Sequence, residues 1–183
     1  MRTPTEREDV QKEEVLKKCF ECIVETGIEG ASIKEFSNAT GMSSSSLYYW
    51  FKDKDEIVID ATCYGMKLVF ERLLKKLMNY ADKPDQLMEG FPKVLKEHNS
   101  YLKTIFQIVS SPNYGSEIIE KSKALFEEKD EYLKEISDKF KYPYEKMQII
   151  ADLFISSIVD CVIWNNWKKL KREFEYIVSI IST

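Results

Sequence analysis

The chain has 183 residues, 44% apolar and 32% charged, with only six Gly and five Pro, a makeup that excludes disordered and fibrous classes and favours helix. Its formal net charge of −4 excludes a broad basic field, so any contact with nucleic acid has to come from a few placed cations. A single His rules out multi-histidine metal sites.

The four Cys (Cys19, Cys22, Cys63, Cys161) read as reduced core thiols, because the start from Met1 to Gln11 is charged and lacks the apolar core of a signal peptide. The most apolar stretch, Leu153 to Trp164, is interrupted by Ser156, Ser157 and Asp160. The expectation is therefore a cytoplasmic protein without a membrane span.

From Glu13 to Thr26 the apolar residues Leu16, Cys19, Phe20, Ile23 and Val24 keep the spacing of an amphipathic helix, and Gly27 suits its end. Cys19 and Cys22 lie inside that pattern with no further pair at metal-ligand spacing, so they predict packing rather than zinc. Ser32, followed three residues later by Glu35, is a capping box that opens a short helix with Ile33, Phe36 and Ala39 on its inner face. The turn Thr40-Gly41-Met42-Ser43 leads to a second short helix, Ser44 to Trp50. Asp53 and Glu56 repeat the start signal and open a long helix towards Tyr80, with Ile57, Ala61, Tyr64 and Leu68 inward.

After a break at Asp82 to Asp85, helical segments are expected near Gln86 to His98 and Tyr101 to Ser110, then a turn from Ser111 to Gly115. Ile118, Leu125, Phe126, Leu133, Ile136 and Phe140 predict one long helix, and Pro143 the start of another. That next helix, Tyr144 to Lys168, is apolar almost all round and must be covered on more than one side. Phe174, Ile177, Val178 and Ile181 close the chain with an amphipathic helix. The fold class is all-α: a helix-turn-helix domain over residues 1–53 and a larger helical domain over residues 54–183.

Two short helices joined by a Gly-containing turn, behind a longer support, form the geometry that sets one helix in the DNA major groove. The segments Ser32-Ile33-Lys34-Glu35-Phe36, Ala39-Thr40-Gly41-Met42-Ser43 and Leu47-Tyr48-Tyr49-Trp50-Phe51-Lys52-Asp53-Lys54-Asp55-Glu56 resemble the signature of TetR-family regulators over about residues 13–61. Trp50 departs from that pattern, where His or Tyr is more frequent.

The resemblance implies buried supports at Leu47 and Phe51, a Tyr48 hydroxyl on a backbone phosphate, and Lys54 contacting phosphate with its ammonium and the free amides around it. It further implies that Ser32 and Ser43 cap the short helices beside the DNA. Ser44, Ser45 and Tyr49 would form the reading face, and Lys34 would reach the backbone. The reading helix has no Arg, Lys, Asn or Gln, so bidentate base recognition is excluded and readout by shape or water is expected.

Residues 1–54 hold eight Lys and Arg against ten Asp and Glu, which motivates a second reading: a helical sensor on the same scaffold with weak or lost DNA binding. In the larger domain His98, Tyr101, Phe126, Phe154, Asp160 and Trp164 are the candidates for binding a hydrophobic or aromatic effector. The last two helices resemble the pair that forms a homodimer in the family. The partners implied are double-stranded DNA with a palindromic operator, a small-molecule effector and a second copy of the chain. With no nucleophile elbow, phosphate loop or metal spacing, no catalytic residue, cofactor or metal is expected.

Overall fold

The computed structural model describes residues 4–80 and 83–181, apart from the side chains at 4–7, 9, 77–80, 84, 85, 87, 88, 126, 128, 140 and 181. Among these residues there are ten helices and no strand: α1 (Pro4–Gly30), α2 (Ile33–Thr40), α3 (Ser44–Trp50), α4 (Lys54–Tyr80), α5 (Pro84–Glu97), α6 (Asn99–Val109), α7 (Gly115–Lys121), α8 (Lys123–Phe140), α9 (Tyr144–Trp164) and α10 (Trp167–Ile181). The expected all-α class is what the chain adopts.

By packing, the chain divides into two compact units. The first comprises residues 1–68 with Thr104–Lys121, and the second Val69–Lys103 with Ser122–Thr183. In the first, α1 buries Val15, Cys19, Phe20, Cys22 and Ile23, while Leu16 and Val24 are half-buried. Gly27 has φ 73° and ψ 164°, so regular helix ends at Thr26 and a separate turn follows, closed by the Ala31 amide on the Gly27 carbonyl at 3.0 Å. Phe20 packs against α4 where only Gly65 leaves room, since a Cβ there would lie 2.5 Å from the ring. Phe36, Leu47, Phe51, Ile57 and Val58 join Phe20 in the core, each at most 1% exposed. Full burial of one such side chain contributes about 1.5–3 kcal/mol.

In the second unit α9 packs between α8 and α10, and α10 also meets α5. Its centre is an aromatic cluster: Phe154 stacks on Phe174 at 5.1 Å between ring centroids, and Phe91 lies 4.9 Å from Phe154 and 5.2 Å from Phe174. Leu95, Met147, Ile158, Cys161, Val162 and Leu170 complete the core.

Two expectations are corrected. The long helix from Ile118 to Phe140 is two helices, broken at buried Ser122, whose φ −89° and ψ 3° leave the helical region. Ala39 is exposed and Ile33 only half-buried, so Phe36 alone anchors α2, as a helix of eight residues turns too little surface inward to bury three positions. By length and composition α9 is also apolar enough to cross a membrane, its two Ser and two Asp being diluted over 21 residues. One such helix is weak evidence for a span, and its Asp160 is paired with Lys169 of α10 at 2.9 Å. The break at residues 81–82 lies outside the described residues.

Gly65→Ala should overpack the α1–α4 contact and destabilise the protein by about 1–3 kcal/mol. Chemical denaturation checks this, and an unchanged midpoint would show that the two helices separate freely.

Candidate nucleic-acid interface

Seven residues make too short a helix to stand alone, so α3 depends on caps and an anchor. The Ser43 hydroxyl accepts the Ser46 amide at 3.1 Å at the start, and the Phe51 amide closes on the Leu47 carbonyl at 3.0 Å at the end. Leu47, 0% exposed, and Phe51, 1% exposed, hold its inner side, as the sequence indicated. The outer side presents Ser44, Ser45, Tyr48 and Tyr49 to solvent, Tyr49 at 86% and Tyr48 at 50% exposure. Trp50 is half-buried and meets Tyr49 edge-on at 6.2 Å, which sets the angle at which that phenol stands out.

α2 begins as expected, with the Ser32 hydroxyl accepting the Glu35 amide at 3.2 Å, and ends at Gly41 in the left-handed region with φ 72°. The Ser37 and Ser44 hydroxyls lie 3.3 Å apart, linking the two short helices across the turn. Lys34 is exposed on α2.

The start of α4 is a reciprocal capping box: Asp53 accepts the Glu56 amide at 2.9 Å, and Glu56 reaches back to the Lys52 amide. Two amides that could have met a phosphate are thereby occupied, so Lys54 there offers its ammonium and the few amides between. The same bonds turn the carboxylates of Asp53 and Glu56 onto the backbone. Asp53 and Asp55 on either side of Lys54 are nonetheless exposed, so the ammonium stands among carboxylates that keep their charge.

The effector candidates do not gather at one place. His98, 8% exposed, sits between α5 and α6 with both ring nitrogens engaged: Nδ1 donates to the Val94 carbonyl at 2.9 Å, and Nε2 accepts from Arg72 at 2.7 Å. Tyr101 meets the His98 ring edge-on at 6.1 Å. Phe154 belongs to the aromatic cluster, Trp164 is 74% exposed at the end of α9, and the Phe126 side chain lies outside the described residues. Asp160 alone of the six lines the open groove between α9 and α10, about 730 Å³, together with Leu153, Ser157, Lys169, Arg172 and Tyr176.

Sequence reasoning did not single out Arg72 or Lys169, since long-range partners leave no mark in local spacing. Burial pushes the Cys19 thiol up to about 12, with Cys22 beside it adding to the shift, which fits core packing rather than metal binding. Among the described residues no group of three or more His, Cys, Asp or Glu is placed to hold a metal ion.

A short exposed helix on a buried Leu47–Phe51 base, supported from behind and followed by a capped long helix, defines a helix-turn-helix DNA-binding protein with an all-helical body. Residues 15–61 match the family described as bacterial regulatory proteins, tetR family. A search of curated proteins returns no match.

Among solved structures the fold is similar to a transcriptional regulator from Rhodococcus sp. RHA1, at 16% identity and TM-score 0.62 over 92% of this chain and 94% of that one. It is also similar to a transcriptional regulator from Aquifex aeolicus, at 19% identity and TM-score 0.57, covering 93% and 95%. A third is the fatty acid degradation regulator FadR from Bacillus halodurans, at 15% identity and TM-score 0.55, covering 92% and 96%. Residues 15–61 thus carry the N-terminal domain of the tetR family, on an all-helical fold that these solved transcriptional regulators share.

Lys54→Ala should weaken binding to every duplex alike and flatten the salt dependence by about one unit, whereas Tyr49→Ala should change which sequences are preferred. Titrations against a small duplex panel at several salt concentrations check this; identical effects of the two substitutions would contradict the division of roles.

Proposed function

We propose that the chain is a repressor that binds a palindromic operator as a homodimer and lets go when a hydrophobic or aromatic small molecule binds. The observation that carries the DNA-reading half is the outward face of α3, with Ser44, Ser45, Tyr48 and Tyr49 exposed over a fully buried Leu47. Ser32, Lys34, Ser43 and Lys54 would flank it on the phosphates. In this reading residues 1–53, with Lys54 at the start of α4, contact the operator, while the rest of residues 54–183 senses and dimerises.

Dimerisation is supported by the surface that α9 and α10 leave open. Ile149, Leu153, Trp164 and Tyr176 are 58–74% exposed, an apolar area that a single soluble chain would not leave in water. The groove beside them carries Asp160, Glu173, Lys169 and Arg172, charges of both signs that a twofold copy of the same face can match. Two α3 helices roughly 34–36 Å apart would then meet successive major grooves on one side of a duplex.

For the effector, the second unit offers aromatic side chains of the kind such a ligand needs, with Phe91, Phe154 and Phe174 stacked on one another at its centre. An effector acts by preferring the conformation that fits the operator poorly, and needs no contact with DNA. Such a regulator works in the cytoplasm, where its operator is.

The specific observation favouring a second reading, a sensor without DNA binding, is that α3 offers no Arg, Lys, Asn or Gln to the bases. Selecting bound fragments from a random duplex library separates the two: an enriched palindrome supports the repressor, and no enrichment supports the sensor.

Light scattering at micromolar concentration should give twice the 21.5 kDa chain mass, and Leu153→Glu should halve it. A monomeric wild-type protein rejects the dimer. A thermal-shift screen of hydrophobic and aromatic compounds should find stabilising members, and a screen with none would reject this effector class.

A further inference from the structure

The direction in which Lys54 points depends on what holds the first turns of α4. The α3 side does so through Phe51 and the Asp53–Glu56 box. A second grip comes from much further along the chain, from the turn after α6 and from α7, which pack in the same unit. The Tyr114 hydroxyl donates to Asp55 Oδ1 at 2.9 Å, and Lys121 Nζ donates to Asp60 Oδ1 at 2.8 Å. One turn on, the Cys63 thiol approaches the Ile118 carbonyl at 3.9 Å, with Ile118 itself fully buried.

Positions 55, 60 and 63 fall within one side of a helix, so these contacts form a single seam. Asp60 also faces Lys12 of α1 at 3.9 Å, and its side chain is only 17% exposed. One carboxylate thereby joins α1, α4 and α7. Partial burial makes such a group costly to leave unpaired, which favours keeping the seam closed.

The seam also bears on charge. Asp55 adjoins Lys54, and an unpaired carboxylate there would oppose a phosphate at the same place. Burial, and then the bond to Asp55, raise the Tyr114 phenol above its ordinary value, so it remains a donor at physiological pH.

We propose that Tyr114 and Lys121 are positioning residues for DNA binding: they clamp the first turns of α4 so that Lys54 and α3 stand in the orientation a duplex requires. The clamp rests on the DNA-reading function proposed above. It implies that DNA affinity is adjustable from the α6–α7 segment, without any change in α3, because whatever displaces α7 frees the first turns of α4.

The test uses the full-length protein and a duplex that the wild type has selected from a random library. Tyr114→Phe and Lys121→Met should each weaken binding by about three- to tenfold. The salt slope should stay as in the wild type, because no phosphate contact is lost. Lys121→Arg should retain wild-type affinity.

Amide hydrogen exchange without DNA should show faster exchange at residues 55–60 in Tyr114→Phe and Lys121→Met, with α2 and α3 unchanged. If Lys121→Met fails to fold, Tyr114→Phe, which removes one hydroxyl, decides the matter. Wild-type affinity in Tyr114→Phe, or a salt slope reduced by about one in Lys121→Met, would overturn the proposal, the latter by making Lys121 a phosphate ligand. Unchanged exchange at residues 55–60 overturns the clamp even where the wild type selects no duplex, an outcome that would by itself reject only the DNA-reading function.

Discussion

Burial of Leu47 and Phe51 is the constraint on which the reading face rests. A helix as short as α3 has too few internal hydrogen bonds to persist in water, and its orientation is whatever its anchors impose. Because both anchors are on one side and fully covered, the other side is necessarily bare, and it is there that Ser44, Ser45 and Tyr49 stand. Replacing Leu47 by Ala would leave a cavity at a cost of about 2–5 kcal/mol, and with it the exposed face would lose its fixed direction.

The electrostatics follow the same economy. Around Lys54 each carboxylate of this net-acidic segment has a partner: Asp53 and Glu56 backbone amides, Asp55 Tyr114, and Asp60 Lys12 and Lys121. Overall charge thus understates what a few placed cations can do. Affinity would come from a small number of phosphate contacts, and specificity from the shape of the groove that a Ser- and Tyr-rich helix tolerates.

Much of the first unit was legible in the sequence because its signals are local. Ser32 with Glu35, Ser43, and Asp53 with Glu56 are caps written within four residues, and each caps the helix it was expected to start. Leu47 and Phe51 were marked as supports by the family signature and are buried. What local spacing does not contain is tertiary partnership. The helical periodicity from Ile118 to Phe140 runs through Ser122 without a blemish, yet the helix breaks there, at the boundary between the two units. His98 looked available as the one histidine, but its two nitrogens are spent on Val94 and Arg72, the second lying 26 residues away. The aromatic residues of the second unit were countable but not separable into core and lining, because composition alone does not say which ring stacks on which.

The central claim is that the outward side of α3 is covered by DNA and by nothing else. Oxidative footprinting of Tyr48 and Tyr49, with and without a duplex selected by the protein, tests it most directly. Both rings should be modified readily in the free protein and protected when the duplex is bound, with Leu47 unreactive throughout. Rings already protected in the free protein, or left reactive in a saturated complex, would contradict the account.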